Sequence, residues 1–341
     1  MPQQIQTTSN FRMERELSTY LIEAVRQQLP AEISLPRVLT DLLGQSASNI
    51  YRKIRGDVPF TLNEVLLISH HFGISIDAFT LAGKLLTNIQ YPALYAHVNS
   101  PEDYLNQLNA QLEFIGTLNT PGIVYAAQET PLFYYMLQPE LLAFKLFMWQ
   151  KTHWLSEAEA RVQLFSHAGF QKQWPGIEPL SRSILKKYFS VPAIEMWSVH
   201  ALSHTLRQIQ AAQQSRFLET DAEAKSLIHA VRSMVDTFET MLRSGKRTVH
   251  GNAPLTVYYN DIEYTNNTVL VSSQGETVAA FTAYDNPHFL VTGQSQALVR
   301  LSHWIENVRR LAIPISTDGE RHRTALLDHF RRQTHEAEAM V

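Results

Sequence analysis

The sequence predicts a mainly α protein, with a five-helix amino-terminal helix-turn-helix domain followed by an α+β carboxy-terminal region that carries a small antiparallel sheet. Three observations predict it. Apolar residues recur at helical spacing through the first 85 residues, a very short Gly-containing turn joins two of those helices, and after Leu255 the pattern changes to short alternating runs separated by turn dipeptides. The domain limits follow these changes of character: residues 1–84, a helical aromatic-rich region 85–250, and strands plus a helix over 251–341, the last two forming one effector or dimerisation domain.

The first helix runs from Leu17 through Tyr20, Leu21, Ala24, Val25 and Leu29, and Pro30 ends it. Leu35, Val38, Leu39, Leu42 and Leu43 mark the second, with Pro36 in its first turn and Gly44 just past its end. Ser46 is placed to cap the third, Ala47–Arg55, whose apolar content is thin: Ala47, Ile50 and Ile54. A capping box, Thr61 with Glu64, opens the fourth, with Leu62, Val65, Leu66 and Phe72 expected inward and Gly73 closing it. Ser75 or Asp77 caps a short fifth helix through Phe79.

From Asn99 to about Ser244 the chain reads as helical, with Pro121 and Pro192 among its breaks. Pro131–Trp149 is apolar enough to resemble a membrane span, but Pro139, Glu140 and Lys145 interrupt it, so a buried helix is expected. LTVYYND, TVLVS, ETVAAFTAY and HFLVT then read as antiparallel strands joined at Asn266-Asn267, Gln274-Gly275 and Asn286-Pro287. Leu298, Leu301, Ile305 and Val308 mark a further helix, and a mixed-charge tail follows.

The 341 residues hold 29 Lys and Arg against 32 Asp and Glu, a net charge of −3, which argues against a broad basic coat. Charge is instead concentrated locally. Ser46–Gly56 carries three basic residues and no acidic one, within residues 1–84 that hold eight of each sign. There is no cysteine, which excludes disulfides, Cys-ligated metals and a cysteine nucleophile. The start lacks a basic segment followed by an apolar one, so no signal peptide and a cytoplasmic address are expected.

A recognition helix buries one face and leaves the other polar, able to reach base edges and phosphates in a groove about 12 Å wide. Ser46–Arg55 has that division, with Ser46, Ala47, Ser48 and Asn49 in its first turn and Arg52, Lys53 and Arg55 beyond, and with Arg37 on the preceding helix as a phosphate contact. Solvated basic residues on a plain helical bundle are the ordinary alternative.

Gly44, Ser46, Ile50, Arg52 and Gly56, followed by PFTLNEVLLISHHFGISIDAF, resemble the helix-turn-helix domain of the Cro and lambda-repressor class (XRE-like), in particular its BetR-like branch, over residues 15–82. One departure stands: the common form has a second core residue three after the β-branched one, where this chain has Lys53, with Ile54 one place later. Which of Tyr51, Arg52 and Lys53 points into the groove is therefore left open. The resemblance implies a sequence-specific, dimeric DNA-binding transcriptional regulator of bacterial type. Its expected partners are double-stranded DNA, a second copy of the chain and an unidentified small-molecule effector; no membrane partner is expected. The alternative is a small-molecule-binding or enzymatic module carrying an accessory helix-turn-helix.

Other constellations are weaker. His200 and His204 could pair on one helix face, but without the HExxH pattern or a third ligand. His70-His71 complement a helix end or approach a phosphate, and Asp261 with Glu263 could act as acid and base, though such carboxylates are usually solvated. The aromatic stretch Tyr125–Trp154 could line a pocket, with core or a dimer interface as its ordinary use. No GxGxxG, GxxxxGKS/T or GxSxG occurs, so no enzyme activity, cofactor or metal is expected.

Overall fold

The helical spacings of the first segment produce helices where apolar residues can meet. In the computed structural model, which describes residues 17–26, 29, 33–74, 98–249, 251–261 and 266–341, the chain divides into two units, Met1–Asn88 and Ile89–Val341. In the first unit, α1 (17–26), α2 (Leu35–Leu43), α3 (Ala47–Ile54) and α4 (Leu62–Phe72) close on a core of Leu21, Val25, Leu39, Ile50, Val65 and Ile68. The capping box predicted at Thr61 is present in both halves. Leu62 and Leu66, expected inward, are instead 71% and 50% exposed, because Val65 and Ile68 set the buried face of α4. The expected fifth helix lies outside the described residues.

The second unit overturns the small antiparallel sheet. Its elements are α5 (Pro101–Gly116), β1 (Gly122–Ala127), α6 (Leu132–Tyr135), α7 (Pro139–Trp149), α8 (Glu157–Val162), α9 (His167–Gln173), α10 (Ile177–Phe189), β2 (Ala193–Trp197), α11 (Ser203–Gln214), α12 (Asp221–Ser244), β3 (Leu255–Tyr259), β4 (Thr268–Ser273), β5 (Glu276–Ala283), β6 (Phe289–Thr292), α13 (Ser295–Leu311), β7 (Ile313–Pro314) and α14 (Glu320–Ala339). Seven strands form one mixed sheet in the order β6-β5-β4-β1-β2-β3-β7. The fold is therefore mixed α/β. β1, β2 and β3 are parallel, with Val124 opposite Ile194 and Ile194 opposite Thr256. β4, β5 and β6 are antiparallel, as the alternating runs predict, and Gln274 (φ 53°) and Gly275 (φ 85°) make the tight β4–β5 turn. LTVYY does not pair with TVLVS: β3 lies beside β2, and β1 stands beside β4.

The parallel strands are covered on both faces. Ile123, Tyr125 and Ala127 face the large helical core, while Val124 and Ala126 face α13 through Leu298, Leu301, Ile305 and Val308. A strand buried on both sides carries little polar alternation, so GIVYAA and AIEMW read as pieces of the surrounding helical region. The mixed-charge tail is also more ordered than its composition suggests, since α14 buries Leu326, Leu327 and Phe330.

Pro131–Trp149 forms α6 and α7, and α7 is buried on nearly every side, as expected of a core helix. No helix among the described residues is long and apolar enough to cross a membrane.

Glu195, on β2 next to the central strand β1, is wholly buried. Its carboxylate accepts hydrogen bonds from Tyr134 Oη (2.7 Å), Tyr188 Oη (3.1 Å), Trp197 Nε1 (2.9 Å) and the Arg247 guanidinium (2.8 Å), itself fully buried. Arg247 also lies over the Tyr188 ring, 4.1 Å from its centroid. Burial first, and then the charge of Glu195, push the Tyr134 and Tyr188 phenols above their ordinary range, so both remain donors. Arg247→Met leaves this carboxylate buried without its cation and is expected to cost about 3–5 kcal/mol. Urea unfolding followed by the fluorescence of Trp197, which stacks on Phe238 at 4.2 Å, measures that loss.

Candidate nucleic-acid interface

The α2–α3 turn sets the direction of the candidate recognition helix. Gly44 adopts φ 63°, and its N–H donates to Thr40 O at 3.0 Å, ending α2. A Cβ there would meet nothing within 4 Å, so the requirement for glycine comes from the left-handed backbone alone. Only Gln45 and Ser46 separate Gly44 from α3, with Ser46 Oγ accepting from Asn49 N at 3.4 Å, as predicted. Ile50 is fully buried against α1, α2 and α4, and this seats the helix.

The second anchor is polar. Lys53, at the core position three residues after Ile50, is 3% exposed and donates to Glu64 Oε2 at 2.8 Å and to Pro59 O at 2.9 Å, with Phe60 beneath it. Glu64 Oε2 also accepts from Thr61 N at 2.6 Å, and Glu64 Oε1 from Gln45 Nε2. Gln45 Oε1 in turn accepts from Asn49 Nδ2 at 2.7 Å. Burial alone pushes the Glu64 carboxyl up, but hydrogen bonds from Lys53, Thr61 and Gln45 and the lysine charge outweigh it and hold the group below its usual value. One carboxylate thus joins the α2–α3 turn, α3 and the start of α4.

This arrangement sorts the predicted contacts. Arg37, Ser46, Ala47, Ser48, Arg52 and Arg55 are exposed, and Asn49 is half-buried with its amide bonded to Gln45. Arg55 is paired with Asp57 at 3.1 Å. Arg37 and Arg52 have no carboxylate within 4.0 Å among the described residues. Lys53 does not belong with them: its ammonium is turned inward and holds a structural ion pair, which corrects its assignment as a DNA contact. Of Tyr51, Arg52 and Lys53, the first two face solvent and the third is buried. Tyr51, nearly one full turn from Ser48 and beside Arg52, joins the exposed face. Its signal was the helical spacing that excludes it from the Ile50 side.

The weaker candidates do not assemble. His200 lies in a turn ahead of α11, so it shares no helix face with His204, whose Nδ1 is 4.0 Å from Glu129. Asp261 accepts hydrogen bonds from Val199 N and Tyr259, and Glu263 lies outside the described residues. His70 and His71 are exposed in the last turn of α4. Among the described residues, His153, Asp285 and His288 bring possible metal-ligand atoms within 4.8 Å of one another, a grouping that sequence spacing could not show.

Residues 18–91 match the family model of the BetR domain, a helix-turn-helix family. The matched segment is roughly a fifth of the chain and points to a DNA-binding regulatory role. No curated protein and no solved structure matches the chain.

Lys53→Met should lower the stability of this unit by about 3–5 kcal/mol, seen as lost amide protection over residues 35–74 of the full chain. A groove-facing lysine would leave protection unchanged. Because the Glu64 pKa is depressed, its stabilisation is present above the usual value of 4.5 and is lost as pH falls through the lower folded value. Protection factors over the same residues should fall in that acidic range, and Glu64→Gln should abolish the step.

Proposed function

We propose that this protein is a sequence-specific DNA-binding transcriptional regulator that acts as a homodimer. The observation that carries this reading is the face of α3 opposite Ile50 and Lys53, inside the segment that matches the BetR family: Ser46, Ala47, Ser48, Tyr51 and Arg52 are presented together on a helix fixed from behind. Short polar side chains at the amino-terminal turn allow close approach to base edges. Arg52 follows, able to engage guanine O6 and N7 or a phosphate, and Arg37 on α2 supplies a phosphate contact. Arg55 reaches phosphate after exchanging its exposed Asp57 partner, a small cost for a surface pair.

The reach of α3 favours a dimer. Eight residues of α3 extend about 12 Å, which spans only part of one groove, and a second copy supplies the matching half-site. On this reading the second unit is regulatory and dimer-forming rather than enzymatic. The protein works where its DNA is, in the cytoplasm of a bacterial cell.

Selection from a random double-stranded library with the full chain is expected to yield a two-fold-related site. Arg52→Ala should then lower affinity for it by about 1–3 kcal/mol if Arg52 reads a base, or mainly flatten the salt dependence if it holds a phosphate. Unchanged affinity together with an unchanged salt slope would remove Arg52 from the interface, and recovery of no preferred site would overturn the reading.

A further inference from the structure

The second unit contains a cavity that DNA binding does not use. It lies between α5, the sheet, α6 and α7, with about 850 Å³ of unfilled space, its mouth included. Leu108, Ile115, Phe133, Trp149, Val271 and Phe281 give it apolar walls. Its polar lining includes Glu129, Thr130, Tyr135 and Lys145.

Lys145 is the unusual member. It is 1% exposed, in the middle of the apolar helix α7, and an ammonium buried there is costly unless its charge is met. The partners present are neutral: Gln208 Oε1 accepts from its Nζ at 3.0 Å, and the Tyr135 ring centroid is 4.9 Å away. No carboxylate lies within 4.0 Å of the ammonium among the described residues. Glu129 acts on it only at longer range and makes its own contact with His204. An ammonium has three donors, so two remain after the bond to Gln208. Burial pushes its pKa down, to about 8, which still leaves the charged form in the majority at pH 7.

We propose that this cavity binds a small organic monoanion, a carboxylate or sulfonate on an apolar ring-sized body, with the anionic group on Lys145 and the body against the aromatic and aliphatic walls. A single cation matches a single negative charge. A dianion such as a phosphate monoester would bring excess charge toward Glu129. Tyr135, whose hydroxyl lies 2.5 Å from Thr205 Oγ1, and Thr130, whose hydroxyl donates to Ala201 O, line the same cavity with fixed rotamers. That such a ligand adjusts DNA binding rests on the regulator reading above; occupancy of the cavity does not.

The test uses the full-length protein and two fluorescent probes, 1-anilinonaphthalene-8-sulfonate and N-phenyl-1-naphthylamine, which share a ring system but differ in the sulfonate. The anionic probe should bind saturably, one per chain, and slow amide exchange over residues 104–115 and 267–271. Lys145→Met should weaken the anionic probe at least tenfold and the neutral one less than twofold. Leu108→Trp, which fills the cavity, should weaken both, with circular dichroism confirming that each variant is folded. Equal binding of the anionic probe by Lys145→Met, or absence of exchange protection in those segments of the unaltered protein, would overturn the proposal. The titrations contain no DNA, so their failure counts against the cavity alone, whereas failure to select a DNA site counts against the regulator reading alone.

Discussion

A buried carboxylate that must be matched by donors from several chain segments is the constraint on which both units depend. Glu195 draws Tyr134 from α6, Tyr188 from α10, Trp197 from its own strand and Arg247 from beyond α12 onto one pair of oxygens. Each of these segments must be in place before the charge is satisfied. Glu64 does the same on a smaller scale with Gln45, Lys53 and Thr61. Apolar contacts favour collapse without choosing strongly among collapsed arrangements. A buried ion pair adds little net stability over an apolar replacement, but an arrangement that leaves one member unmatched is heavily penalised. In each unit the apolar core thus supplies the driving force, and the carboxylate penalises alternative arrangements of the segments around it.

What could be read from sequence follows from the range of the interactions. Gly44, the Ser46 cap and the Thr61–Glu64 box act within a few residues, so their spacing reveals them, and the structure has all three. The outer face of α3 was legible too, except at Lys53. That residue's partner is eleven positions away, and a lysine three places after Ile50 looks solvated until α4 folds against it. The error at Leu62 and Leu66 is of the opposite kind: apolar side chains at the edge of a helical stripe were assigned to the core, although Val65 and Ile68 already fill it. In the second unit, β1 and β2 were hidden because burial on both faces erases the alternation that identifies a strand. The large mixed sheet could not be deduced from the visible hairpins at its edge.

The three positive charges of Ser46–Gly56 suggested a concentrated basic surface. Lys53 is neutralised internally and Arg55 faces Asp57, so Arg52 is the cation of that segment without a carboxylate at hand among the described residues. A face of this kind gives little general attraction for polyanions, so under the proposed function discrimination falls more on shape and hydrogen bonding at the first turn of α3.

The Gln45–Asn49 bond has an evolutionary consequence. Asn49 lies at the edge of the presented face, yet its amide belongs to the chain of contacts that runs through Gln45 to Glu64. A substitution at 49 therefore disturbs the seating of the helix, whereas Ala47, Ser48 and Arg52 can be exchanged without touching that chain. Homologous helices should accordingly vary freely at 47, 48 and 52, and change 49 only in concert with 45.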